Sequence, residues 1–213
     1  MKRTSKYALL AASALAVAAS AQAQYVNGDL LLGFKGGASD FIYDLGQAST
    51  LYQGKTWTVG ASLGTQFGVV GSLNSGRHLY STSFDSANEN AFSPTGLFLN
   101  ARSHFATLAQ GITLNGSRTT TSADTTGWSV QTDPIAAGNT LRNDWYDPNV
   151  TAAATAYLWD NTDVGGKTLA GSFSYDSAGG GLTYSLVPEP STFSLVGSMG
   201  LLAFAVRRKF AKA

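Results

Sequence analysis

The chain has 213 residues, 44% of them apolar and only 13% charged, and 14 Lys and Arg against 13 Asp and Glu leave a net charge of +1. Globular domains are typically about 25% charged, so 23 Ser, 22 Thr and 24 Gly must cover much of this surface. The low charge argues against a nucleic-acid binder with its clustered basic face, the 11 Phe and 9 Tyr argue against a disordered tail, and the absence of Cys excludes disulfides, thiolate metal sites and Cys nucleophiles.

The N-terminal segment reads as an export signal. Lys2, Arg3 and Lys6 form a positive start, Tyr7–Ala19 is an apolar run, and Ala21-Gln22-Ala23 supplies a small-x-small cleavage site that makes Gln24 the new N-terminus. Thirteen apolar residues reach about 20 Å as a helix, short of a hydrocarbon core of about 30 Å. Residues 1–23 are therefore expected to be a signal peptide.

Residues 24–186 are expected to form one extracytoplasmic domain, long enough for a real core. This middle segment holds seven bases against twelve acids, so the cargo is mildly acidic while both ends are basic. Short runs with β-branched or aromatic members, punctuated by turn residues, predict strands. They are Asp29–Phe34, Asp40–Leu45, Thr56–Val59, Gln66–Ser72, His78–Ser83, Thr151–Trp159, Thr168–Tyr175 and Leu182–Leu186. Lys35–Ser39 and Asp176–Gly181 read as Gly-containing hairpin loops. Ser93-Pro94 offers an N-cap and first-turn proline for a helix carrying Leu97, Phe98, Ala101, Phe105, Leu108 and Ala109, ended by Gly111. Ser117–Trp128 has no apolar period and reads as a polar loop. The expected fold is all-β, an antiparallel sandwich or jelly roll with one short helix, plus the signal helix and a C-terminal transmembrane helix.

Chemistry-bearing residues in this segment are sparse. His78 and His104 are the only histidines, and they read as sheet-edge or surface residues rather than members of a Ser-His-Asp triad. G-x-S-x-G and H-E-x-x-H are both missing. Asn143-Asp144 with Asp147 and Asn149, and Asp160-Asn161 with Asp163, offer oxygens for Ca²⁺ but match no EF-hand and are ordinary turn formers. A glycosidase pair is weakly supported, because Glu89 is the only Glu of the segment. Trp57, Trp128, Trp145 and Trp159 read as core, with a sugar-stacking platform as the alternative. Asn115-Gly116-Ser117 and Asn149-Val150-Thr151 match glycosylation sequons. No catalytic residue, metal or cofactor is expected.

The C-terminal segment is the most specific. Val187-Pro188-Glu189-Pro190 precedes the apolar run Ser191–Val206, and Arg207-Arg208-Lys209 follows. Sixteen helical residues reach about 24 Å, a modest mismatch that bilayer thinning and snorkelling absorb. The basic cluster favours a cytoplasmic C-terminus, so the cargo must already lie outside, as the signal peptide also requires. Pro188 and Pro190 fix φ and remove two donors, making the preceding strip extended and unpaired. Ser191 can cap the helix, and Glu189 places negative charge near its positive end.

With VPEPS at Val187–Ser191, residues 187–213 resemble the PEP-CTERM sorting tail of Gram-negative bacteria, also named an ice-binding protein C-terminal domain. The resemblance implies recognition of Pro188, Glu189, Pro190 and Ser191 by an exosortase, with 191–206 as a temporary tether and Arg207, Arg208 and Lys209 as the membrane stop. It implies signal peptidase and exosortase as processing enzymes, a transient stay in the inner membrane with the cargo in the periplasm, and release to the cell surface or matrix. The expected function is a non-enzymatic, structural or adhesive surface protein. The alternative is a carbohydrate-binding module held on exopolysaccharide, and a secreted hydrolase is a third reading. Ice binding lacks a regular Thr-x-Thr ladder here.

Overall fold

The computed structural model describes residues 26–84, 86, 97–132, 148–162 and 166–187. The strands are β1 (Asp29–Lys35), β2 (Ser39–Gln47), β3 (Thr56–Thr58), β4 (Gln66–Leu73), β5 (His78–Ser83), β6 (Ser117–Thr121), β7 (Val150–Thr151), β8 (Ala156–Thr162), β9 (Lys167–Asp176) and β10 (Gly181–Ser185). Helix α1 spans Leu97–Leu108, α2 spans Trp128–Thr132, and a 3₁₀ turn covers Ala48–Thr50.

All pairings are antiparallel and join into one sheet of order β3-β10-β9-β8-β5-β4-β1-β2-β6, with β7 added on β4. The mostly-β, antiparallel expectation holds at that level. The two-layer sandwich or jelly roll does not describe the sheet, because it is continuous and curls on itself. Phe34 on β1 and Tyr175 on β9 have three strands between them in that order, yet their rings meet edge-on at 4.7 Å. Trp57 on the β3 edge donates its indole N–H to the Leu45 carbonyl of β2 at 3.3 Å, so the seam nearly closes.

Two bulges sharpen the curl, since an extra residue bends and twists a strand. One falls between Leu30 and Leu31, making Leu45 the extra residue of β2; the other falls between Leu158 and Trp159, making Ala170 the extra residue of β9. Each bulged residue turns its carbonyl to an aromatic donor: Leu45 to Trp57, and Ala170 to the Tyr184 hydroxyl at 2.7 Å.

The concave face encloses one core, with Leu30, Leu32, Phe34, Phe67, Val69, Leu158, Phe173, Leu182 and Tyr184 buried. The convex face carries a second, in which Leu31, Ile42, Val70 and Leu79 lie under Ala101, Phe105 and Leu108 of α1 and under Trp128. Coverage on both faces explains why β1 is apolar almost without alternation. At Gly33 a Cβ would stand 1.8 Å from the Trp128 ring, so only glycine lets that indole lie against the sheet.

Most expected strands fall within a residue or two of their predicted ends. Thr151–Trp159 is an exception: it divides into β7 and β8, because Ala152–Ala154 are poor strand formers and Ala154 N–H closes a turn on the Thr151 carbonyl. Ser117–Thr121, expected as loop, is an edge strand paired with β2, where consecutive threonines suit a half-exposed ladder. The Ser93-Pro94 cap lies outside the described residues, and so do the segments expected to be the signal and transmembrane helices. No helix among the described residues is long and apolar enough to cross a membrane.

Candidate functional site

The residues expected to carry sorting all lie outside the described residues: Ala21, Ala23 and Gln24, Pro188, Glu189, Pro190 and Ser191, and Arg207, Arg208 and Lys209. The structure does define the two points between which they attach. Antiparallel pairing places the start of β1, the ends of β2, β4, β8 and β10, and the starts of β5 and β9 at one end of the curled sheet. A hollow of about 290 Å³ opens there, lined by both Gly28 and Leu186 among others. The described chain therefore begins and ends at the same mouth. Val26 N–H donates to an Asp29 carboxylate oxygen at 2.6 Å, and Leu186 N–H donates to Gln53 Oε1 at 2.7 Å, pinning both departures.

Inside the mouth, His78 and Tyr80 lie two apart on β5 and share one face. Asp160 of β8 sits directly across from Tyr80. Its carboxylate oxygens lie 2.8 and 3.0 Å from His78 Nδ1, and the imidazole stacks on Tyr80 with centroids 6.2 Å apart. Burial, with the Asp160 charge adding to it, pushes the Tyr80 phenol up to about 12, so it stays a neutral hydroxyl at all ordinary pH. That hydroxyl has no hydrogen-bond partner among the described residues. The apolar wall is Leu51, Leu73, Leu158 and Ala170.

Gly76 of the β4–β5 turn lies beside the His78 ring, where a Cβ would stand 2.6 Å from Nε2, and the imidazole stays partly exposed. What the hollow offers is a carboxylate acceptor, a neutral phenol and apolar walls.

A second polar cluster underlies the mouth. Asp29 and Asp44 are almost fully buried beside the β2 bulge. Asp29 also accepts from Gln47 Nε2, and Asp44 accepts the Gly46 N–H at 2.7 Å. Burial pushes the Asp44 carboxyl up to about 6 against the pull of the Gly46 N–H, and the Asp29 charge adds to the rise. Burial likewise raises Asp29, opposed by its bonds from Val26 and Gln47.

The other singled-out residues take structural places. His104 Nδ1 meets Gln131 Oε1, tying α1 to α2. Trp57, Trp128 and Trp159 are buried, so these three form no open stacking platform; Trp145 lies outside the described residues. Asp160 and Asn161 point to opposite faces of β8, Asn161 reaching the Leu79 carbonyl at 3.4 Å. Asn149 is buried, accepting from Trp128 Nε1 at 2.6 Å and donating to Thr132 at 3.1 Å, which leaves its sequon no accessible amide. The Asn115 backbone sits at φ 55 in the turn before β6. Glu89, Asn143, Asp144, Asp147 and Asp163 lie outside the described residues. Among the described residues no group of three or more His, Asp or Glu converges as a metal site would require.

Sequence reasoning missed the Tyr80–Asp160 pair and the hollow. The alternation His78-x-Tyr80 signals a shared face, but the partner strand is some eighty residues on and only the β5–β8 pairing brings it across.

A family model described as the PEP-CTERM protein-sorting motif matches residues 186–209. No curated protein and no solved structure matches the chain. The motif defines a class: exported proteins, anchored transiently in a membrane and processed by an exosortase. This chain carries that sorting motif, starting at Leu186, one residue beyond the last strand.

Proposed function

We propose that the chain is a non-enzymatic surface or matrix protein. In this reading residues 1–23 are removed on export, residues 24–186 are the cargo, and 187–213 hold it in the inner membrane until the exosortase releases it. The observation that carries the reading is the sorting motif at 186–209, set directly after a curled sheet whose final strand is firmly paired. The low charge and the Ser/Thr-rich sequence suit an extracellular matrix. Intact-mass spectrometry of surface material from cells with and without the exosortase tests it. The tail should be absent with the enzyme present and retained without it; Arg207–Ala213 on wild-type surface material overturns it.

The hollow favours a second reading, a carbohydrate-binding module that fastens the protein to exopolysaccharide. A carboxylate, a neutral phenol and aliphatic walls match the hydroxyls and C–H face of a sugar. A glycan array followed by Tyr80→Phe and Asp160→Asn discriminates. Glycan binding weakened about tenfold by either change, the worth of one hydrogen bond to a charged or well-placed group, supports it; no binding, or binding indifferent to both, removes it.

A further inference from the structure

Among the described residues, five large apolar side chains stand well exposed, and four of them belong to segments at the mouth end of the sheet. Leu186 (47% exposed) lines the hollow itself. Tyr52 (61%) follows Leu51, another lining residue. Val26 (53%) precedes the Gly28 wall by two residues. Leu114 (53%) lies against Gly46, where a Cβ would stand 3.8 Å from its Cδ1. The fifth, Phe84, follows β5 at the opposite end. Lys55 joins the rim, its ammonium 5.9 Å from the Tyr52 ring centroid. The described carboxylates at this end leave little uncompensated negative charge on the rim: Asp29 and Asp44 are buried, and Asp160, inside the hollow, lies against His78 Nδ1.

We infer that this rim is a membrane-docking surface, whose partner is the headgroup layer of an anionic bilayer while the chain is still tethered. The inference rests on the tethered stage of the proposed function. The linker decides the geometry. Leu186 to Ser191 is five residues, which reach at most about 18 Å at full stretch. A headgroup layer takes up roughly 5–8 Å of that, leaving slack on the order of 10 Å. The sheet itself is about 30 Å long at the rise of its ten-residue strand β9. The mouth is therefore held against the lipid surface and the Phe84 end is held away from it. An aromatic, aliphatic and basic rim is what an interfacial surface needs. Each contact is weak, but the tail supplies the effective concentration, so a weak surface is enough to fix orientation.

The absence of Cys makes the test clean. The full chain carrying Tyr52→Cys, Leu114→Cys, Phe84→Cys or Ser198→Cys is labelled with a fluorophore. It is then reconstituted into vesicles of phosphatidylethanolamine and phosphatidylglycerol and quenched with iodide. Shielding at positions 52 and 114 at least about threefold greater than at 84 is expected for an interfacial surface, with 198 fully shielded. If 198 is shielded while 52 and 114 quench like 84, the docking surface is overturned and the tether stands. Equal shielding at all four positions also overturns it. An unshielded 198 overturns both the tether and the surface built on it.

Discussion

At the scale of single residues, the buried Asp44 makes the clearest claim about pH. Its folded carboxyl titrates near 6 rather than 3.8, so between those values the native state binds more protons than the unfolded chain. Stability from this group is accordingly greatest at the acid end and falls as pH rises from about 4 to 6. The raised Asp29 acts in the same direction. Asp44→Asn keeps an oxygen for the Gly46 N–H and removes the buried charge. It should flatten that slope and add about 1–2 kcal/mol at pH 7, as urea unfolding at several pH values would read. An unchanged slope would count against it. Trp57→Phe should cost about 1 kcal/mol, the worth of the lost bond to Leu45, together with a small packing loss. Gly33→Ala should cost more, on the order of 2–3 kcal/mol, because Trp128 has nowhere to move. Thermal unfolding of the two variants ranks them.

At the scale of elements, strands with alternating or dense apolar patterns were legible because local pattern and tertiary burial agree there. His78–Ser83 is bounded as the pattern predicts. Helix α1 was legible through the spacing of Ala101, Phe105 and Leu108, which the structure packs on the convex face, and Gly111 follows it at φ +74. Phe105→Ala should therefore cost about 3–5 kcal/mol and lower helix content only slightly, as far-UV circular dichroism and unfolding together would show. The edge strand β6 was not legible. Its Thr-rich sequence has no apolar face, and its strand character comes from the β2 ladder and from Arg118, which donates to the Leu108 and Thr126 carbonyls at 3.0 and 2.7 Å. The bulges were invisible for the same reason: a displaced register at Leu45 or Ala170 is a property of two strands, not one.

At the scale of the molecule, a sequence of short strands is equally consistent with two stacked sheets and with one that curls. What separates them is the pairing of β4 with β5 and of β5 with β8, which carries the ladder across what would be the gap of a sandwich. The sorting tail was legible because its signals are local, with Pro188, Glu189 and Pro190 adjoining an apolar run and a basic stop. The mouth was not, because Gly28, Tyr80, Asp160 and Leu186 meet only after the sheet has curled. The curl leaves the described chain beginning and ending at one mouth, the side that the proposed tether would hold toward the membrane. The most direct measurement of that account fuses residues 187–213 to an exported neutral reporter and follows the fusion by membrane fractionation and intact mass. The account predicts a fusion that embeds in the inner membrane and is then shortened and released when the exosortase is present. A fusion that stays soluble and full-length in those cells would contradict it.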